Sequence, residues 1–287
     1  MRNTRGFTLV ELMIVVVMMA IIGGAMVRML TNTQRISREQ AERVGLQSSL
    51  RTGAFLIPSE LAEVGINATA SDLQFMGATA IQYRAMRGAG ASCQVTPTEI
   101  RIWDVPEMPY YGIRHMTSTN NRDRLLIFAE LDPADPDDDM WIDRQLTGVS
   151  ASTCAGRPAY ALTFADISAA TPNGIVDVMA GSPVRSYEVM RLESFTQNGQ
   201  LWLGARSVSA GEVALQPVLG PLAANGFQLE YLDGNGNPTA AATAVRAIRV
   251  TLRGLTQAAV SRGLGQANMV AQDSLVAMIA LRNAPRP

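Results

Sequence analysis

A single carboxylate inside a long apolar run is the residue whose type and position most clearly point to chemistry. Glu11 interrupts a run that extends from Phe7 to Val27 and contains no other charged residue. Placing an unpaired carboxylate in a membrane costs roughly 2–4 kcal/mol, so a simple anchor would use an apolar residue at this position. We therefore expect Glu11 to have a function inside the bilayer.

An aspartate-rich loop is the second group of residues with recognisable chemistry. Carboxylates crowded in a proline-containing loop suit Ca²⁺, which prefers hard oxygen ligands. The calcium candidates are Asp132, Asp135, Asp137 and Asp139, with Asp138 among them and Asp143 just beyond. The loop lacks the glycine and the terminal glutamate of an EF-hand. A solvated acidic loop is therefore the favoured interpretation, and a calcium site is the alternative.

The two cysteines, Cys93 and Cys154, both lie in loop-like sequence rich in Gly, Ala, Ser and Thr. Export would place them in an oxidising compartment, where a disulfide between two loops is the preferred interpretation. Free thiols or a metal-binding pair remain alternatives. They are less favoured because neither a CxxC spacing nor a neighbouring histidine accompanies the cysteines.

Composition argues against several classes of enzyme and against nucleic-acid binding. The net charge is −1, and all 24 basic residues are arginine, which excludes catalytic sites that need a lysine. His115, the one histidine, has no clear nucleophile partner, so we expect a structural or solvent-facing role. The sequence predicts no enzyme and, apart from the calcium alternative, no cofactor.

The start of the chain has the length and charge of a membrane span. The 21 residues from Phe7 to Val27 would form a helix of about 32 Å, enough to cross a hydrocarbon core. Arg2 and Arg5 precede the run, which favours a cytoplasmic amino end and an extracytoplasmic body. The small residue at the boundary, Gly6, lies before the apolar run. Cleavage after Gly6 would therefore leave the helix on the mature protein.

The segment Gly6–Val15, Gly-Phe-Thr-Leu-Val-Glu-Leu-Met-Ile-Val, resembles the class III leader of type IV pilins and type II secretion pseudopilins. The resemblance implies that a prepilin peptidase removes residues 1–6, cleaving between Gly6 and Phe7, and methylates the new amine of Phe7. It also implies that Glu11 pairs with the amino-terminal ammonium of a neighbouring subunit, which would offset much of the cost of burial. The alternative is a glutamate that reaches water at the cytoplasmic interface.

A long helix is expected to continue past the membrane, over residues 7–57. Charged pairs at i,i+4 spacing, such as Arg35 with Glu39, are typical of a solvated helical face. Pro58 is expected to end this helix and to begin a second short helix that reaches Gly65. The apolar residues expected to dock the helix on the body are Ile36, Val44, Leu46, Leu50 and Phe55.

Beyond this helix the pattern changes to short β-branched or aromatic segments bounded by Gly, Pro, Asn or Asp. Predicted strands are Ala80–Arg84, Glu99–Trp103, Arg124–Leu131, Ala159–Phe164, Ser186–Leu192, Leu201–Ala205, Phe227–Leu232 and Ala244–Arg253. The last apolar run, Ser274–Leu281, fits a helix or a strand, and we favour a strand. The sequence thus predicts an α+β fold, with a long helix on a mainly antiparallel sheet body over residues 58–287 and an insertion around 85–158.

A looser resemblance to the larger PilW-type minor pilins and J-type minor pseudopilins extends further along the chain. Its matching segments are Leu56–Gly65, Tyr187–Met190, Gly226–Gly236 and Val245–Leu252. It implies a non-catalytic subunit at the tip or priming complex of a type IV pilus. The implied partners are prepilin peptidase, other pilins or pseudopilins and an inner-membrane assembly platform.

Two alternatives to the minor-pilin hypothesis remain open. One is a J-type pseudopilin in type II secretion. The other is an adhesive module displayed by the pilus, whose surface would include Trp103, Tyr110, Tyr111 and Trp141.

Overall fold

A computed structural model describes residues 8–66, 71–135, 138–260 and 269–282. One α-helix, α1 (Leu9–Leu61), precedes thirteen strands in this part of the chain. The strands are β1 (Leu73–Met76), β2 (Ala80–Val95), β3 (Glu99–Trp103), β4 (Tyr111–Gly112), β5 (Arg124–Ala129), β6 (Met140–Gln145), β7 (Gly148–Cys154), β8 (Arg157–Thr163), β9 (Pro183–Gln197), β10 (Gln200–Ser207), β11 (Gln216–Leu232), β12 (Ala247–Val260) and β13 (Met269–Ala280). The α+β prediction is confirmed.

The strands form one antiparallel sheet in the order β13-β12-β11-β10-β9-β2-β3-β8-β7. Four shorter strands lie off this path: β1 and β4 pair with β2, β5 pairs with β9, and β6 pairs with β5. The final run is a strand, as favoured from the sequence. The strands β1, β4, β6 and β7 were not predicted, because they are short or polar.

The helix α1 continues through Pro58 to Leu61, so the prediction of a helix end at Ile57 and a separate helix from Pro58 was wrong. A proline inside a helix costs about 3 kcal/mol. Burial of Ile57 and Leu61 in the core offsets this cost, since each buried aliphatic side chain contributes about 1.5–3 kcal/mol.

The carboxyl-terminal half of α1 docks on the sheet through small and aliphatic side chains at helical spacing. The buried residues are Leu46, Leu50, Gly53, Ile57 and Leu61. The β12–β13 hairpin lies along this half of the helix and is bonded to it at both ends. Ala258 N donates to Glu42 Oε2 (3.1 Å) at one end, and Arg282 N donates to Ala62 O (3.0 Å) at the other.

The predicted docking face was correct only in part. Leu46 and Leu50 dock, whereas Ile36, Val44 and Phe55 are exposed. The spacing explains the difference, because Val44 and Phe55 lie on the opposite side of the helix from Leu46 and Ile57 at 3.6 residues per turn.

Two large hydrophobic cores and one small cluster, formed by Leu126, Tyr187 and Val189, fill the body. The proximal core lies beneath α1 and includes Leu61, Ile81, Leu192, Phe227 and Ile248. The distal core is built by β3, β5, β6 and β8 with the segments around them, and its members include Ile100, Ile127, Leu162 and Val184. The long strands β2 and β9 run through both cores and join them.

Candidate processing and assembly site

The amino end of α1 is closed by a capping box formed by Thr8 and Glu11. Thr8 is the N-cap residue, and Glu11 N donates to Thr8 Oγ1 (3.3 Å). In return, Glu11 Oε2 accepts hydrogen bonds from Thr8 N (3.1 Å) and Thr8 Oγ1 (3.0 Å). This arrangement satisfies helix-end donors that would otherwise be unpaired in a membrane.

Thr8 was not identified from the sequence, although Thr-x-x-Glu before an apolar run is a readable capping-box pattern. Within the described part of the chain, every hydrogen bond to the Glu11 carboxylate ends on Oε2.

The first part of α1, from Leu9 to Val27, is exposed and apolar apart from Glu11. None of its side chains belongs to a hydrophobic core. Among the described residues, α1 is the one helix that is long enough and apolar enough to cross a membrane. The predicted cleavage residues Gly6 and Phe7 lie outside the described residues.

A second exposed apolar stripe continues on α1 beyond the predicted membrane span. Phe55 is 78% exposed, Val44 is 64% exposed and Leu30 is 60% exposed. Val44 and Phe55 are separated by three turns, so both point away from the body. The sequence interpretation assigned Val44 and Phe55 to docking, and their isolation from the body is visible only in the fold.

The two cysteines form the predicted disulfide. Cys93 lies on β2 and Cys154 ends β7, with Cα atoms 6.2 Å apart. Both cysteines lie in strands rather than in the loops expected from their small neighbours. Because β3 and β8 lie between β2 and β7 in the sheet, the bridge ties the outer hairpin of the distal core back to the central strand pair.

The acidic loop uses its carboxylates to hold its own backbone. Asp132 Oδ1 accepts a hydrogen bond from Ala134 N (2.9 Å), and Asp138 Oδ1 accepts one from Asp132 N (3.3 Å). Asp143 is separate from this loop, on β6, where it pairs with Arg84 and Arg124.

No group of three or more acidic, histidine or cysteine side chains that could hold a metal occurs in the described parts of the chain. Of the calcium candidates, Asp132, Asp135 and Asp139 are described, and Asp137 lies outside the described residues. Calcium binding by the whole loop stays a prediction.

The aromatic residues expected on an adhesive surface are not brought together. Tyr110 Oη is 2.7 Å from Ser186 Oγ, Trp141 packs edge-on against Phe128, and Trp103 lies under Arg157. Tyr111 is exposed. His115, also exposed, has an edge contact with the Tyr160 ring at 6.5 Å between centroids.

Residues 1–27 match the family model of the prokaryotic N-terminal methylation motif. No curated protein and no solved structure matches the chain. The matched region contains Gly6, Phe7, the capping box and the apolar first part of α1. The chain therefore carries, at its amino end, the class III prepilin leader of type IV pilin-like proteins.

Proposed function

We propose that this protein is a minor pilin, a structural subunit that is cut after Gly6 by prepilin peptidase and incorporated into a type IV pilus. The observation that carries the proposal is the methylation motif over residues 1–27, in register with an exposed apolar helix. Phe7 becomes the N-methylated first residue. Before assembly the subunit sits in the inner membrane with a cytoplasmic amino end and an extracytoplasmic body.

Glu11 supplies the intersubunit contact of this proposal. Its carboxylate accepts hydrogen bonds from Thr8 in the capping box, and the Phe7 ammonium of a neighbouring subunit is the complementary charge. Two isolated charges in a bilayer are each unfavourable, whereas the pair offsets much of that cost. The contact therefore favours subunits that are aligned along the filament.

The exposed stripe on α1 supports the same function. Val44 and Phe55 leave a strip of apolar surface outside the membrane, on the side of the helix that the body does not cover. Helices of adjacent subunits would bury this strip. The partners are therefore other pilins and the inner-membrane assembly platform.

A position at the tip or in the priming complex suits the size of the body. The chain from β3 to the start of β9 forms a second lobe around the distal core, called the distal lobe, beyond the part of the body that packs on α1. A wide subunit of this kind would crowd a repeating helical lattice. The function is structural rather than catalytic. A J-type pseudopilin would use the same leader and helix, and a gene deletion distinguishes the two: a minor pilin is needed for piliation, and a pseudopilin for protein secretion.

The decisive experiment compares Glu11→Ala with Thr8→Ala, each as the sole copy in cells. Both changes break the capping box, but only the first removes the carboxylate. We expect Glu11→Ala to be cleaved normally and to be lost from sheared filaments by at least tenfold on immunoblots. We expect Thr8→Ala to be incorporated at near wild-type levels.

Two results would contradict the pairing role. Normal incorporation of Glu11→Ala would show that the carboxylate is not needed for assembly. Equal loss of both variants from sheared filaments would show that Glu11 acts in assembly only by capping the helix.

A further inference from the structure

On the α1 side of the sheet, a band of charged residues lies between the two large cores along the shared strands β2 and β9. On the opposite face, the small cluster of Leu126, Tyr187 and Val189 lies at the same level. On β9, Leu192 belongs to the proximal core and Val184 to the distal core. Glu188 lies midway between them on the same face of the strand and is 3% exposed. On β2, Arg87 follows Ala85 of the proximal core on that same face and is also buried.

On the α1 side of the sheet, Glu188 is the centre of an ion-pair network. Arg87 Nε donates to Glu188 Oε2 (3.0 Å), and Arg87 Nη1 donates to both oxygens of Glu60 near the end of α1 (3.0 and 3.2 Å). From the distal lobe, Arg114 Nη2 lies 3.2 Å from Glu188 Oε2 and also pairs with Asp123. The network therefore connects the membrane helix to the distal lobe.

A second network of ion pairs and hydrogen bonds lies on the opposite face of the same strand pair. Arg84 on β2 contacts Asp143 Oδ2 on β6 (3.0 Å) and Asp72 Oδ1 (3.6 Å). Arg124 on β5 contacts Asp143 Oδ1 (2.9 Å), and Tyr187 Oη on β9 donates to Asp143 Oδ2 (2.5 Å). Elements of both lobes are thus joined on both faces of the sheet.

Buried ion pairs are a poor source of net stability, because desolvation cancels most of the attraction. Their geometry is nevertheless specific, since a displaced partner leaves a buried charge unpaired. Apolar side chains at the same positions would merge the two cores and tolerate small rotations between them. The charged band is therefore suited to fixing the orientation of the distal lobe relative to α1 rather than to adding stability.

We propose that these two networks form a clamp that holds the distal lobe in one orientation relative to α1. Only β2 and β9 run through both large cores, so the orientation of the distal lobe depends on the contacts made across these two strands. The clamp makes the distal lobe a rigid extension of the membrane helix. Whatever the distal lobe contacts is then presented at a fixed angle.

The test measures a distance between the helix and the distal lobe in the full-length protein in detergent. Spin labels at Ser48→Cys on α1 and Val176→Cys in the distal lobe are both at exposed positions. We expect a single narrow distance distribution, because the native cysteines are paired and the clamp is closed. Glu188→Gln, which keeps the shape and removes the central charge, should broaden the distribution at least twofold.

Two further variants make the result interpretable. Glu60→Gln cuts the link to α1 alone and should broaden the distribution less than Glu188→Gln. Arg157→Met removes an exposed ion pair with Glu107 within the distal lobe and should leave the distribution unchanged. Amide hydrogen exchange of β5 and β12 reports whether each core stays folded.

An unchanged narrow distribution in Glu188→Gln would overturn the proposal. Loss of amide protection in both cores together would also overturn it, because the network would then be an ordinary contributor to global stability. Broadening with both cores still protected is the result that supports a clamp.

Discussion

At the scale of single residues, Glu11 and Glu188 show two environments of a carboxylate, one exposed and one buried. Glu11 lies on an exposed apolar helix, and among the described residues its carboxylate accepts hydrogen bonds from Thr8. Glu188 is buried and in contact with Arg87, Arg114 and Arg122. The proposed assembly contact would give Glu11 a second partner, whereas the charges that face Glu188 lie within the chain.

The Glu188 site predicts a pH dependence of stability. Burial raises its pKa, but hydrogen bonds from Ser207 and Arg87 and the charge of Arg87 outweigh burial, and the pKa is lowered overall. A lowered folded-state pKa means that the stabilisation is present above the unfolded-state pKa and is lost as the pH falls through the folded one. We expect the free energy of unfolding, measured by urea titration, to fall below about pH 4.5.

Glu188→Gln should flatten this acid limb. Asp72 provides a control of opposite sign, because burial raises its pKa despite its bond from Gly65 N and its contact with Arg84. That group favours the folded state as the pH falls, so Asp72→Asn should steepen the acid limb. An identical pH profile in wild type and Glu188→Gln would contradict the assignment.

The sequence alone was enough to identify residues whose role can be read from the residues next to them in the chain. Glu11 stands out within an apolar run, and Gly6 and Phe7 stand out at its boundary. The clamp was not recognisable, because its central pair, Arg87 and Glu188, is separated by 101 positions. Charged residues scattered over several strands look like solvated positions until the strand order is known.

At the scale of elements, α1 changes its surroundings twice along its length. Its first part is exposed and apolar, its middle part carries charged residues such as Arg35 and Glu39, and its last part docks on the sheet. Gly53 permits a close approach of α1 to the sheet, because a Cβ there would lie 2.9 Å from methyl groups of Leu219 and Leu252.

Gly53→Leu should therefore weaken docking. Overpacking of a tight contact costs about 1–3 kcal/mol, which urea unfolding of the full-length protein would detect. The matched control is Gly45→Leu on the same helix, where an added Cβ meets nothing within 4 Å. Removing that glycine should stabilise the helix by up to about 1 kcal/mol. Equal effects at the two positions would contradict the docking geometry.

Most of the predicted strands are correct in place but differ from the structure in length. Glu99–Trp103 has the predicted bounds, because turn residues flank it on both sides. The prediction for Ala80–Arg84 covers only the first part of β2, which continues to Val95 through small residues and glycines of low β-propensity. Pairing with β9 on one side, and with β4 and β3 on the other, maintains that extension.

At the scale of the whole molecule, the disulfide secures the lobe that is farthest from α1. It closes a loop with a sequence separation of 61 residues. The chain-entropy model assigns about 4 kcal/mol to a loop of this size, and measured values are commonly 2–4 kcal/mol. We expect Cys93→Ser with Cys154→Ser to lower the stability of the distal lobe by about that amount.

Hydrogen exchange would locate this effect. Amides of β7 and β8 should lose protection in the double variant, whereas amides of β12 should keep it, because the proximal core is intact. Uniform loss over the whole body would contradict the division into two cores.

The central claim is that the amino end of this molecule is processed at Gly6 and used for assembly. Mass spectrometry of the protein recovered from membranes and filaments tests it most directly. We predict a mature chain that begins with N-methylated Phe7. A chain that retains Met1, or one that begins downstream of Val27, would contradict the account.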